Sequence, residues 1–327
     1  MTKIWNPEVF QGRGKKKDYF EGGYFKSVSN DEKIAYAIIA GLSITKTLNN
    51  SHSFVMFVDA HNKDLHYYQY PLSSFWANKE KFEIKIGKNS FSLNNIILDM
   101  DNGQTKIKAP MKFENIIPWP VKRFSQGVMG IYAFIPFLKR YHGVLSLNHS
   151  INGYVEINDE KKAFTGSKGY IEKDWGSSMP SSWIWMQSNH FDEEGLSLFG
   201  SIAKIPWLCS YFTGYIFGLL YNEELYKFTT YSGAKIEKLD VTKNNIKIIL
   251  NHKHLKLQID ANRAEGVDIP APKLGEMTNT VNESLQSKMD IKLFKKENKE
   301  KILLFPGTGR NAGLEFVCDL NGLLKGF

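Results

Sequence analysis

Short segments of strand type, each closed by a cluster of turn residues, recur along this whole chain and leave little room for long helices. Examples are 35–45, 53–59, 65–70, 82–86, 91–99 and 105–113, then 153–157, 166–174, 183–191, 196–202 and 215–221. Further ones follow at 225–231, 245–250, 255–261, 288–293 and 314–320. The breaks carry Asn-Asn-Ser, Asn-Lys-Asp, Asp-Asn-Gly and Asn-Asp-Glu, residues that accept turn conformations at low cost. Many short strands joined this way predict an all-β chain, a barrel or a sandwich. No repeat of solenoid or propeller length is visible.

Three segments depart from the pattern. Region 117–141 holds Pro118, Pro120, Pro136, Gly127 and Gly130 among large apolar residues. It is expected as an irregular connection with a short helix, covering a barrel mouth. Residues 269–272 are expected as a rim loop, and 275–287 as a short helix. The most apolar run, 205–221, contains Pro206 and two glycines and is shorter than the roughly 20 residues of a spanning helix. Two buried strands around a turn fit it better.

Composition bounds the function. A length of 327 residues allows two ordinary domains or one large β domain. The net charge of +8 comes mostly from lysine, since Arg13, Arg123, Arg140, Arg263 and Arg310 are the only arginines. These cations are not interleaved with aromatics along one face, so nucleic acid is not expected as a partner. The basic balance does leave room for peripheral contact with an anionic membrane. The N-terminal stretch has no apolar core of a signal peptide. Cys209 and Cys318 are too few for a disulfide framework or a Cys-based metal site. A cytoplasmic, possible membrane-associated location is expected, with no metal and no cofactor.

The densest chemistry lies in GYIEKDWGSSMPSSWIWMQSN at 169–189. As a strand, 166–175 puts Lys168, Tyr170, Glu172 and Asp174 on one face, with the two carboxylates roughly 7 Å apart. Buried together they raise each other's pKa, which suits a general acid. Exposure, or pairing with Lys168 or Lys173, is the competing reading. On the next strand Trp183, Trp185, Gln187 and Asn189 share a face opposite Ile184 and Met186. That asymmetry points to a ligand cavity on the Trp side, with ordinary core packing as the alternative. In YFEGGYFK at 19–26, Glu21 shares a face with Tyr19 and Gly23, and Tyr24 lies on the other. His142 and His149 are an odd number of residues apart and fall on opposite faces of a strand, so they are poor candidates for one metal. Each remains a base, a pocket wall or a structural histidine. His252 and His254 lack a third ligand, and Pro306 to Arg310 reads as a hairpin turn, not a phosphate loop.

Taken together, Trp5-x-Pro7 with Phe10-Gln11-Gly12, YFEGGYFK, His142-Gly143-Val144, the 169–189 motif and Ala312-Gly313-Leu314-Glu315 resemble the tocopherol cyclase family. The resemblance implies two lipocalin-like antiparallel β-barrel domains with a few short helices, which we place at 1–178 and 179–327. It also implies redox-neutral closure of a chroman ring, in which a phenol oxygen adds across a prenyl double bond. In those terms Glu21, Glu172 or Asp174 is the acid, His142 or a carboxylate the base, and Trp183 and Trp185 steady the cation. Tyr19, Tyr24, Trp175, Gln187, Asn189 and His149 complete the expected substrate site. The implied partner is a hydrophobic, prenylated small molecule. Gly23 stands where the family usually has Trp, which predicts a larger or wetter pocket beside Glu21. A lipocalin-like carrier and an alkene hydratase are the competing functions.

Overall fold

The chain folds almost entirely as antiparallel strands. The computed structural model describes residues 5–123, 125–136, 138–207, 210–297, 300–317 and 323. Cys209 and Cys318 lie outside the described residues. The fold is all-β and lipocalin-like, with two sheets of 12 and 11 strands and a few short 3-10 turns. The chain divides into two compact units, Met1–Met179 with Ile269–Thr280, and Pro180–Asp268 with Val281–Phe327.

In the first unit, Ser167–Gly176 is a central strand between Tyr19–Val28 and Arg140–Ile157. Alternation sends Ile171, Phe25 and Leu145 into an apolar core with Phe57, Phe91 and Ile107. Full burial of such side chains contributes about 1.5–3 kcal/mol each before entropy is counted. Two register shifts interrupt the ladder after Val144, and the strand continues to Ile157. The 3-10 segment Gly127–Phe134 is the helical element within 117–141, and its kink falls at Gly130, φ 54°. There the left-handed backbone favours a residue without Cβ.

In the second unit, Ile184 and Met186 enter a core with Leu198, Phe217 and Ile248. The run 205–221 supplies the end of the strand Ser197–Trp207 and the whole of its partner Ser210–Tyr221. Among the described residues no helix is long and apolar enough to cross a membrane.

Three local expectations are corrected. The stretch 275–287 is not helical: it starts the strand Glu276–Glu297. The Pro-rich 269–272 lies in the strand Val267–Lys273, and Pro306 to Arg310 lie inside Glu300–Val317 instead of turning a hairpin. Long-range pairing explains the first and third: partners such as Ser287↔Ala312 and Met289↔Gly309 fix an extended backbone that local composition does not demand. Between Lys273 and Glu276 the chain turns at Gly275, φ 80°, where a Cβ would lie 2.3 Å from the Ile44 carbonyl oxygen.

Candidate active site

Two charged clusters occupy opposite faces of Ser167–Gly176. The register sets Gly23 opposite Lys173, Glu21 opposite Trp175 and Tyr24 opposite Glu172 on one side, and His142 opposite Asp174 on the other. Lys173 and Trp175 therefore share the face of Ile171, while Tyr170, Glu172 and Asp174 share the other with His142.

On the first face Glu21 and Lys173 are both buried and form an ion pair at 2.8 Å. The Gln11 backbone N–H donates to both Glu21 oxygens, at 3.0 and 2.9 Å, and Tyr19 Oη donates to Oε2 at 2.5 Å. Lys173 Nζ also donates to the Val9 and Glu8 carbonyls, at 2.6 and 3.2 Å, and lies 5.0 Å from the Trp175 ring centre. Burial lowers the Lys173 pKa, and Glu21 partly offsets that. The Tyr19 phenol is pushed well up, by burial and then by the Glu21 charge.

The second face carries a chain of five ionisable groups. Arg140 holds Asp174 in a two-pronged contact, Nε to Oδ1 at 2.8 Å and Nη2 to Oδ2 at 2.6 Å. His142 Nδ1 lies 2.7 Å from Asp174 Oδ1, and its Nε2 lies 3.6 Å from Glu172 Oε2. Tyr170 Oη donates to Glu172 Oε2 at 2.6 Å. Burial raises the Glu172 pKa, the Asp174 charge adds to it, and His142 opposes. For Asp174 burial also works upward, but the Arg140 guanidinium and then His142 overcome it and hold the carboxyl well below the usual range. Two carboxylates on one face are thus driven apart by their neighbours, one toward the acid and one toward the anion.

His142 brings this cluster to a cavity of about 240 Å³. Its wall includes Gln11, Gln126, Phe134, Tyr141, His142 and Trp175, with Tyr141 and Trp175 stacked at 5.8 Å. The volume lies just under the roughly 300–1,000 Å³ of ordinary small-molecule sites, enough to enclose a ring but not a long tail. His142, Glu172 and Asp174 also offer ligand atoms within 4.8 Å of one another. The Arg140 guanidinium already occupies both Asp174 oxygens and adds positive charge, so the group does not suit a cation.

The remaining expected residues lie elsewhere. Tyr24 is buried opposite Glu172. His149 packs in the apolar core at 4.6 Å from Phe113, with Nδ1 2.9 Å from Ser146 Oγ, and burial pushes its pKa down to about 3. The two histidines do fall on opposite faces. Trp183, Trp185, Gln187 and Asn189 are buried in the second unit and do not line this cavity. Trp183 Nε1 donates to Glu315 Oε2 at 2.9 Å, and a Cβ on Gly313 would lie 2.6 Å from the Trp185 ring. Those contacts join the 183–189 and 312–315 motifs. Gly23 does not open a larger or wetter pocket. A Cβ there would already lie 3.1 Å from Phe82, and the space beside Glu21 amounts to about 10 Å³.

Sequence reasoning missed Arg140, Tyr141 and Gln126, and offered Lys173 as a partner of Glu172 or Asp174, whereas it pairs with Glu21. Arg140 had a signal: a rare arginine two residues before His142, hence on its face of a strand. Gln126 had none, because it reaches the wall from an irregular segment, where its Nε2 donates to the Arg123 carbonyl at 2.6 Å.

Comparisons with known proteins follow the same lines. The profile of the tocopherol cyclase-like family matches residues 93–317. A probable chloroplastic tocopherol cyclase of Oryza sativa subsp. japonica is 26% identical over 114 residues, 34% of this chain and 24% of that protein. The chloroplastic tocopherol cyclase of Zea mays is 26% identical over 118 residues, 35% of this chain and 25% of that protein. The match thus spans about a quarter of these curated relatives' length. Among solved structures, CghA is similar with a TM-score of 0.58 at 8% identity, over 91% of this chain and 88% of its own. A putative AttH from Nitrosomonas europaea gives 0.51 at 11% identity, over 91% and 92%. At these identities the likeness is one of fold.

Proposed function

Because this chain belongs to the tocopherol cyclase-like family, we propose that it is a redox-neutral cyclase acting on a prenylated phenol or quinol in the first unit's cavity. The observation that carries this reading is the place of His142. It stands in a cavity wall made largely of apolar and aromatic groups, with Nδ1 held by the Arg140-bound Asp174 and Nε2 turned to Glu172.

In this proposal the His142 imidazolium gives a proton to the substrate alkene, leaving a tertiary carbocation. The phenol oxygen closes on that carbon, and its O–H proton returns to the imidazole. One C–H and one C–O bond form, one C=C π bond and one O–H bond are lost, and no electrons are gained or lost. Asp174 keeps His142 oriented through the contact of its Oδ1 with Nδ1. Glu172, pushed toward its acid form by burial, stands 3.6 Å behind as a proton store. The stacked Trp175 and Tyr141 rings offer π faces to the cation, the role expected of Trp183 and Trp185. Glu21 has its charge met by Lys173 and serves the fold. CghA has been crystallised with Sch210972, which supports small-molecule binding by this fold.

The test is turnover of a prenylated hydroquinone in D2O, followed by mass spectrometry. One deuterium in a chroman product, with an activity loss of about 10²–10⁴ in His142→Gln, is expected for an acid–base residue. Undiminished turnover in that variant would remove His142 from the reaction. Binding of the hydroquinone without chroman formation favours a carrier instead, a reading helped by the neutralisation of Glu21 and Asp174 by Lys173 and Arg140.

A further inference from the structure

The covering segment of the cavity carries an unusual outer surface. Among the described residues eleven large apolar side chains are exposed, and four of them belong to it or to the N-terminal stretch against it. Val121 is 43% exposed, Ile131 53%, Phe134 43% and Trp5 39%. Trp5 and Phe134 meet edge to face at 5.6 Å, and Trp5 Nε1 donates to the Arg123 carbonyl at 3.3 Å. Phe134 is also part of the cavity wall, so the apolar surface runs from the outside into the pocket.

The charge on this segment has one sign. No Asp or Glu occurs between Glu114 and Glu156, whereas Lys122, Arg123 and Lys139 are all exposed. In the N-terminal stretch the one carboxylate between Trp5 and Arg13 is Glu8, whose charge acts on the buried Lys173. Exposed apolar side chains beside exposed cations are the makeup of a surface that enters the headgroup region of an anionic bilayer. Trp and Phe rings suit that region, where one end is apolar and the other wet.

We propose that the face carrying Trp5, Val121, Ile131 and Phe134, with Lys122, Arg123 and Lys139, docks on an anionic lipid bilayer. The cavity then draws its apolar ligand from the bilayer, a step that rests on the proposed function. Docking itself does not, because it is read without any turnover. A second copy of the chain is the competing occupant. It is disfavoured because two like faces would bring the same three cations together.

The experiment is co-sedimentation of the intact chain with phosphatidylcholine vesicles, with and without phosphatidylglycerol. Binding is expected to the anionic vesicles and to weaken with added salt. Val121→Ser/Ile131→Ser removes two exposed apolar side chains and is expected to weaken binding about tenfold or more. Lys122→Glu/Arg123→Glu is expected to abolish the preference for phosphatidylglycerol. The altered side chains are exposed, so an unchanged unfolding midpoint certifies each variant. A parent chain that ignores both vesicle types overturns the proposal, as does a Val121→Ser/Ile131→Ser variant that binds like the parent. A concentration-dependent dimer in sedimentation velocity that this variant dissolves would give the face to a second copy. Failure of chroman formation with vesicle binding intact would overturn only the cyclase reading.

Discussion

The two charged clusters on Ser167–Gly176 each combine a buried carboxylate, a cation and a phenol yet end in opposite states. Around Glu21 every strong demand is met: one lysine, one phenol and one backbone N–H converge on the carboxylate. Around His142 the charges form a series in which Arg140 holds Asp174, Asp174 holds His142, and Glu172 is left beside the imidazole with a raised pKa. A saturated pair costs much to disturb and has no proton to spare. An unsaturated series is where a proton can move. The comparison teaches that burial of an acid is a poor marker of catalysis until its partners are known.

The contrast breaks most visibly at Lys173. Lys173→Met leaves Glu21 buried without its cation, and a loss of about 3–5 kcal/mol in urea unfolding is expected. Lys173→Met/Glu21→Leu should recover a large part of that loss. No recovery would mean that Lys173 stabilises through its bonds to the Glu8 and Val9 carbonyls alone.

A second test sets His149 beside His142. With a folded pKa near 3 against 6.5 unfolded, neutral His149 contributes stability that is present above 6.5 and lost as pH falls toward 3. Between pH 6.5 and 4 the linkage amounts to about 3 kcal/mol. His149→Asn should flatten the unfolding midpoint over that window, and an unchanged slope would show that the ring titrates freely.

The smallest effect is expected at Glu172. Its raised pKa makes its contribution greatest below the ordinary carboxylate value and lost as pH rises through the folded pKa. Asp174, whose pKa is lowered, behaves in the reverse sense and loses its contribution as pH falls. Glu172→Gln mimics the protonated acid and should change stability at neutral pH by less than about 1 kcal/mol. Glu21→Gln should cost clearly more, and equal costs would erase the distinction between the clusters.

Much of this was legible from residues in order. Alternation alone put Tyr170, Glu172 and Asp174 on one face, separated His142 from His149, and set Ile184 and Met186 opposite the Trp residues. Those statements need only the two-residue period of a strand. The family motifs added the all-β, lipocalin-like fold. What tertiary structure decided was every choice of partner. Lys173 adjoins Asp174 in sequence but meets Glu21, because neighbouring residues of a strand point to opposite faces and Tyr19–Val28 pairs from the far end of the unit. Local spacing puts Arg140 on the face of His142, but its contact with Asp174, like the reach of Gln126 to the cavity, depends on the tertiary structure. Local periodicity fixes which way a side chain faces. Only the long-range register fixes what it faces, and for buried charges the partner determines the pKa and therefore the chemistry.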